Sequence, residues 1–169
     1  RMHRVFDRLD EPPLLVVPDE AQPVAAALPR VDHELGGRPV GVSWTPSGSG
    51  PWRVGERTLR GQVRVRARSG RLEVLNRVGL EQYVASTVGG EMSPSWPREA
   101  LRAQAVAARS WVCFNRPGKH DALFSHCNDD CCQRYQGTGA LSDETIRAVE
   151  ETRGEILLQL GNDGEISDV

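Results

Sequence analysis

The sequence lacks a long hydrophobic run, and none of its apolar stretches approaches the roughly 20 residues that a membrane-spanning helix needs. The amino terminus also lacks the charged-then-apolar pattern of a signal peptide. Aromatic residues are scarce, at 5% of 169 residues, whereas glycine and proline are frequent. Such a chain can bury one sizeable core and carry a small strand-rich extension beside it.

A large excess of charge is missing too, because the formal net charge is only −2 at pH 7. Acidic residues are spread through the same segments as the arginines, so we expect no nucleic-acid partner. The last residues, Glu165-Ile-Ser-Asp-Val169, resemble a strand cut short. We therefore expect a fragment of a longer protein, whose signal or anchor lies outside this chain.

The first 80 residues alternate short apolar runs, such as Leu14-Leu-Val-Val17 and Pro39-Val-Gly-Val42, with turn signals. In residues 59–66 and 72–75, polar and apolar residues alternate on either side of Arg68-Ser-Gly-Arg71. This alternation predicts a half-buried β-hairpin. We assign residues 1–54 to a strand- and turn-rich extension and residues 55–169 to the main domain.

The apolar period changes to that of helices after Leu80. One short helix is predicted to end at Gly89-Gly90. A second starts near Ser95, with Pro97 in its first turn, and runs to about Phe114. Its many alanines allow close packing, so this helix should be central and largely buried.

A third helix is predicted from Ser142 or Asp143 to Arg153, closed by Gly154. The segments 155–160 and 165–167 then predict a carboxyl-terminal β-hairpin about the turn at residues 161–164. Hairpin-rich strands, helices around a central alanine-rich one, and further strands together predict an α+β fold.

Linked motifs run from residue 79 to residue 157. They are Gly79-Leu-Glu-Gln-Tyr-Val84, Gly90-Glu-Met-Ser-Pro94, the stretch 99–110, Cys132-Gln-Arg-Tyr-Gln-Gly137 and the stretch 148–157. In order and spacing they resemble the signature of the stage II sporulation protein D and amidase-enhancer family. The resemblance covers about residues 55–169, which implies that this domain is the family's catalytic domain, incomplete at its carboxyl end.

The resemblance implies a lytic transglycosylase in the cell envelope, acting on peptidoglycan glycan strands. Such an enzyme cleaves between N-acetylmuramic acid and N-acetylglucosamine and forms a 1,6-anhydro sugar without water. One carboxyl group suffices, first as general acid and then as base. Family position assigns this role to Glu91. Without the family, Glu91 would be interpreted as an acidic residue at the amino end of the following helix.

The resemblance also nominates substrate-cleft or glutamate-orienting residues on the second helix. They are Arg102, Gln104 and Arg109, and two aromatic residues beside the motifs, Trp96 and Tyr135, are candidates for stacking on sugar rings. Structural alternatives exist for each. Arg102 could be a surface charge, Arg109 a buried arginine paired with a carboxylate, Gln104 a partner of backbone groups, and the aromatics core residues.

A loop from Lys119 to Tyr135 concentrates His and Cys. His120, His126, Cys131 and Cys132 are the nitrogen and sulfur ligands that a structural zinc takes, and the resemblance includes similar ligands in this loop. The alternative is a disulfide of Cys127 with Cys131 or Cys132, which an oxidising envelope would favour.

A different class of function remains open at this point. Related proteins bind and stimulate a cell-wall amidase without cleaving glycan themselves, which would make the amidase a partner and Glu91 part of a binding groove. The combination of Glu91 with Arg102, Gln104 and Arg109 favours the enzyme.

Overall fold

A computed structural model describes residues 3–4, 14–18, 43–44, 51–68, 71–114, 126–128 and 132–158. Within them the chain forms an α+β fold, as the sequence predicts. The strands are β1 (His3–Arg4), β2 (Leu14–Pro18), β3 (Ser43–Trp44), β4 (Trp52–Val54), β5 (Arg57–Leu59), β6 (Gln62–Arg68), β7 (Arg71–Val78), β8 (His126–Asn128) and β9 (Glu155–Ile156). The helices are α1 (Leu80–Glu91), α2 (Arg98–Phe114) and α3 (Asp143–Glu151), with a 3₁₀ turn at Gly137–Ala140.

The main sheet has five strands in the order β3-β6-β7-β2-β8. Its centre is the hairpin β6–β7, whose register pairs Arg68 with Arg71 and so confirms the predicted turn. Val63 is buried while Arg64 is exposed, which is the alternation that a sheet with one covered face requires. β2 runs antiparallel to β7, and β8 runs parallel to β2.

Two short ribbons accompany this sheet. β4 pairs with β5, and β1 pairs with β9. Leu59, which the sequence pattern assigned to the hairpin, ends β5, and Gly61 turns the chain into β6 with a positive φ of 83°. Of the predicted carboxyl-terminal hairpin, residues 155–156 form β9, which pairs with β1. Residues 159–169 lie outside the described part, so the hairpin itself stays a prediction.

The helices form close to the predicted positions. α1 continues one residue past Gly89-Gly90, α2 begins at Arg98 after Pro97, and α3 begins after Ser142. Ser142 and Thr145 form a capping box, in which the side-chain oxygen of each accepts the main-chain N–H of the other at the start of α3. Among the described residues, no helix has the length and hydrophobicity needed to cross a bilayer.

The core lies where α1, α2 and α3 pack on one another and on the strand hairpins. α2 contacts both other helices, as its central placement predicts. Its alanines at 105 and 108 are buried in the hydrophobic cluster to which α1, α2 and α3 all contribute. The fully buried large residues of this core include Leu59, Tyr83, Val84, Val88 and Leu101.

Candidate active site

Glu91 is the last residue of α1, and its side chain is exposed. Two donors hold its carboxylate. Gln104 Nε2, from the middle of α2, lies 2.6 Å from Glu91 Oε2, and the main-chain N–H of Arg134 lies 3.4 Å from Oε1 as a weaker donor. The site therefore brings together the end of α1, the middle of α2 and the segment that precedes the 3₁₀ turn.

Close approach of that segment depends on the last two glycines of α1. A Cβ on Gly89 would lie 1.8 Å from the carbonyl oxygen of Ala140, and one on Gly90 would lie 2.4 Å from that of Arg134. Neither distance leaves room for a side chain. The pair was predicted to end the helix, but it makes room for residues 134–140 against a helix that continues. Gln136 N–H also donates to Ser86 Oγ at 3.0 Å.

The placement of Glu91 also separates two interpretations of its charge. It lies at the carboxyl end of α1, where the helix dipole is negative, whereas Glu99 occupies the first turn of α2. The structure therefore does not support the alternative in which Glu91 complements the amino end of the following helix.

The loop between α1 and α2 displays Trp96 near the start of α2. The main-chain N–H of Trp96 donates to the carbonyl of Ser93 at 3.1 Å, and the hydroxyls of Ser93 and Ser95 are 2.8 Å apart. Pro94 and Pro97 restrict the backbone on either side. Trp96 is 55% exposed, so its ring is available to a ligand.

Arg109 is placed in the core and away from the exposed surface. Its guanidinium forms two hydrogen bonds to the Glu81 carboxylate, at 2.9 and 2.7 Å. It also donates to the main-chain carbonyls of Glu155 at 3.0 Å and Val149 at 3.3 Å. The side chain is fully buried. This matches the structural alternative for Arg109 rather than contact with a substrate.

Tyr135 is also a core residue. Its ring stacks on Tyr83 with centroids 5.4 Å apart, and its hydroxyl donates to Asn76 Oδ1 at 2.7 Å. Burial raises the pKa of the Tyr135 hydroxyl, so it stays protonated. With only 2% of its surface exposed, Tyr135 is not available for sugar stacking.

Arg102 lies on the α2 surface beside α3. Its Nη1 donates to both carboxylate oxygens of Glu99 at 3.0 Å, and its Nε lies 3.8 Å from Glu151. These contacts correspond to the surface-charge alternative for Arg102. Of the five predicted helper residues, the structure thus gives a hydrogen bond to Glu91 for Gln104.

The residues predicted to bind zinc fall mostly outside the described part. His120 and Cys131 are not described, and His126 and Cys127 are described as members of β8 without their side chains. Cys132 is half-buried just before the Arg134 segment. The zinc and the alternative disulfide both stay predictions.

The main-chain N–H of Arg134 was not among the predicted site groups. Its side chain type gives no hint of this role, because the interaction uses the backbone. The signal was the position of Arg134 within the motif Cys132-Gln-Arg-Tyr-Gln-Gly137, whose Gly137 has a positive φ of 66° and turns the chain beside Thr58.

Comparison with known proteins agrees with these motifs. The model of the SpoIID family, described as stage II sporulation protein, matches residues 68–158. An uncharacterized protein of Brachyspira hyodysenteriae is 38% identical over 89 residues, which are 52% of this chain and 24% of that relative. The matched region therefore spans about a quarter of the length of this relative.

Proposed function

Because the chain belongs to the SpoIID, stage II sporulation protein, family, whose role is related to the cell wall, we propose that it is a peptidoglycan lytic transglycosylase. Glu91 is its general acid and base. The substrate is the glycan strand between N-acetylmuramic acid and N-acetylglucosamine, so the enzyme works outside the cytoplasm. We propose this activity for the whole protein as well as for the domain at residues 55–169.

The observation that carries this proposal is the pair of neutral donors on Glu91. Glu81 is held by Arg109, and Glu99 and Glu151 by Arg102 and Arg98. Glu91 instead receives an amide and a main-chain N–H, and it faces solvent. Among the described residues no cation is paired with Glu91, and a fixed cation would favour the carboxylate over the acid form that the first proton transfer needs.

Gln104 suits both protonation states of Glu91. Its Nε2 donates to the carboxylate as observed. Rotation of the amide by half a turn would present Oε1, which can accept a hydrogen bond from the protonated carboxyl group. An amide thus orients the acid form and the base form, while an arginine at the same position would favour only the carboxylate.

The reaction needs two proton transfers. Glu91 first donates its proton to the glycosidic oxygen, the bond from that oxygen to the anomeric carbon of muramic acid breaks, and N-acetylglucosamine leaves with a free hydroxyl. The 6-hydroxyl of the same muramic acid then attacks the anomeric carbon and gives its proton to Glu91. The carboxyl group is restored and no water is consumed.

Digestion of purified glycan strands, followed by mass analysis for 1,6-anhydromuramic ends, tests the proposal. Glu91→Gln keeps the shape and hydrogen bonding of the residue but cannot cycle a proton. We expect it to lower the rate by at least about 10²-fold, the usual contribution of a general acid or base. Its melting temperature should stay close to that of the wild type, because the side chain is exposed.

Glu99→Gln is the matched control, since it neutralises another exposed carboxylate at the start of α2 that contacts Arg102. It should keep full activity. Wild-type rates in Glu91→Gln, or hydrolytic products without anhydro ends, would contradict the proposed mechanism. Binding of strands by the wild type without any cleavage would indicate a binding module instead.

A further inference from the structure

Two side chains of α1 accept hydrogen bonds from the main chain of residues 134–136. Arg134 N–H donates to Glu91 Oε1 at 3.4 Å. Gln136 N–H donates to Ser86 Oγ at 3.0 Å. Both donors belong to the same three residues, so the position of one N–H restricts that of the other to within the length of two peptide units. What holds Gln136 therefore also bears on the contact at Glu91.

The two hydrogen bonds differ in strength. The bond to Ser86 has the usual length for an N–H donor and an oxygen acceptor, whereas the contact to Glu91 exceeds the common range of about 2.7–3.2 Å. Ser86 is 1% exposed, so water does not compete for its hydroxyl, while the Glu91 side chain faces solvent. The bond to Ser86, rather than the contact to Glu91, therefore fixes this segment against α1.

The N–H of Tyr135, between the two donors, is used within the segment itself. It donates to the carbonyl of Gln133 at 2.9 Å, which closes a three-residue turn centred on Arg134. In so tight a turn, the direction of the Arg134 N–H follows from the placement of the next two residues. The Tyr135 side chain attaches the turn to the core, and Gln136 attaches it to α1 through Ser86.

We propose that Ser86 is a positioning residue for the reaction, because its buried hydroxyl holds this turn so that the Arg134 N–H faces the Glu91 carboxylate. The inference rests on the proposed function for the chemistry at Glu91. Gln104 Nε2 and the Arg134 N–H contact different oxygens of the carboxylate, and together they define its rotation. Loss of the Ser86 hydroxyl would leave Gln104 as the only fixed donor of the two.

Ser110 is the matched control, because it makes the same kind of bond in another part of the core. It is a serine of α2 that is 6% exposed, and its Oγ accepts the main-chain N–H of Leu157 at 2.8 Å. Leu157 directly follows β9 and supplies neither donor to Glu91. Ser86→Ala and Ser110→Ala should each lower the melting temperature by several degrees, since each leaves a main-chain N–H without its acceptor.

The value of kcat per folded molecule on glycan strands separates positioning from stability. We expect Ser86→Ala to lower kcat about tenfold with KM unchanged, because a misplaced catalytic group slows the chemical step and not the binding of substrate. Ser110→Ala should keep the wild-type kcat once the folded fraction is taken into account. Wild-type kcat in Ser86→Ala, or an equal loss of kcat in both variants, would overturn the proposal.

The contact between Arg134 and Glu91 is measured by NMR without any cleavage. Glu91→Gln replaces a charged acceptor by a neutral one, so it should shift the amide proton resonance of Arg134. This shift should be much smaller when Ser86→Ala is also present and unchanged when Ser110→Ala is present. No shift in the otherwise wild-type protein, or a full shift with Ser86→Ala, would contradict the positioning role. If Ser86→Ala abolishes the shift but the wild type forms no anhydro ends, Ser86 still positions the N–H and the transglycosylase proposal fails.

Discussion

The orientation of Glu91 depends on one amide from another helix. Gln104→Ala removes the 2.6 Å hydrogen bond to Oε2 and leaves the carboxylate with the longer contact to Arg134 N–H. Misplacing a catalytic group by about 1 Å can cost 10²-fold in rate. We expect kcat on glycan strands to fall about 10- to 100-fold, with little change in melting temperature because Gln104 is half-exposed.

The cleavage rate should depend on the position of the amide relative to Glu91, and not only on the presence of an amide on α2. Adding Ala103→Gln to Gln104→Ala moves the same group one position along α2, about 100° around the helix axis. That double variant should remain as slow as Gln104→Ala. Recovery of activity in it, or wild-type kcat in Gln104→Ala, would show that Gln104 does not position Glu91.

At the scale of single residues, the sequence nominated part of the candidate site. The motif that contains Glu91 and the alignment of Gln104 were sufficient to nominate both residues. Arg109 and Tyr135 could not be separated from surface residues, since their burial depends on Glu81, Asn76 and Tyr83 from distant parts of the chain. Local sequence carries no record of such contacts.

At the scale of elements, the contact between α1 and residues 134–140 depends on Gly90. Gly90→Ala should push Arg134 away, because its Cβ would lie 2.4 Å from the carbonyl oxygen of that residue. Helix propensity favours alanine by about 1 kcal/mol. Overpacking costs about 1–3 kcal/mol, so the free energy of unfolding should fall, and cleavage should fall further as the N–H of Arg134 leaves Glu91.

Gly139→Ala is the control, since a Cβ there meets nothing within 4 Å and its backbone needs no positive φ. Urea unfolding and the strand-cleavage assay should leave Gly139→Ala near the wild type and Gly90→Ala clearly below it. A Gly90→Ala protein more stable than the wild type would mean that residues 134–140 can move away from α1 without a loss of stability.

Helix positions were predicted well, and their ends less so. The double glycine has the sequence of a helix terminus, yet α1 runs through it to Glu91. Glycine can end a helix or make room for a neighbour. The sequence does not distinguish these uses, because the neighbour here, Ala140, lies some fifty residues later.

At the scale of the whole molecule, the ion pair of Arg109 with Glu81 connects several elements of the core. The pair joins α2 to the start of α1, to the end of α3 and to β9. Removing one partner of a buried ion pair typically costs about 3–5 kcal/mol. We expect Arg109→Ala to lower the free energy of unfolding by about that amount, measured by urea denaturation.

Arg109→Lys should be nearly as damaging, because an ammonium cannot reproduce the planar set of four bonds. Arg98→Ala removes an exposed ion pair with Glu151 and should have little effect. Any loss of cleavage by Arg109→Ala should therefore track loss of the folded population. Full stability with selective loss of cleavage would instead assign Arg109 a direct part in the chemistry.

The α+β class and the central hairpin followed from alternation and period. The order of the sheet did not, since β2 lies between β7 and β8, and β1 pairs with β9. These pairings join segments whose apolar patterns are short and similar. No local rule selects which strand pairs with which.

The sheet order also has a consequence for the timing of folding. Val16 of β2 pairs with His126, and His3 of β1 pairs with Ile156. These pairings cannot form until segments more than a hundred residues later in the chain have been synthesised. Until then the outer edge of β2 has no β8 and is open to other chains. Such distant pairings make folding slow, so the main sheet should be completed only after β8 has been synthesised.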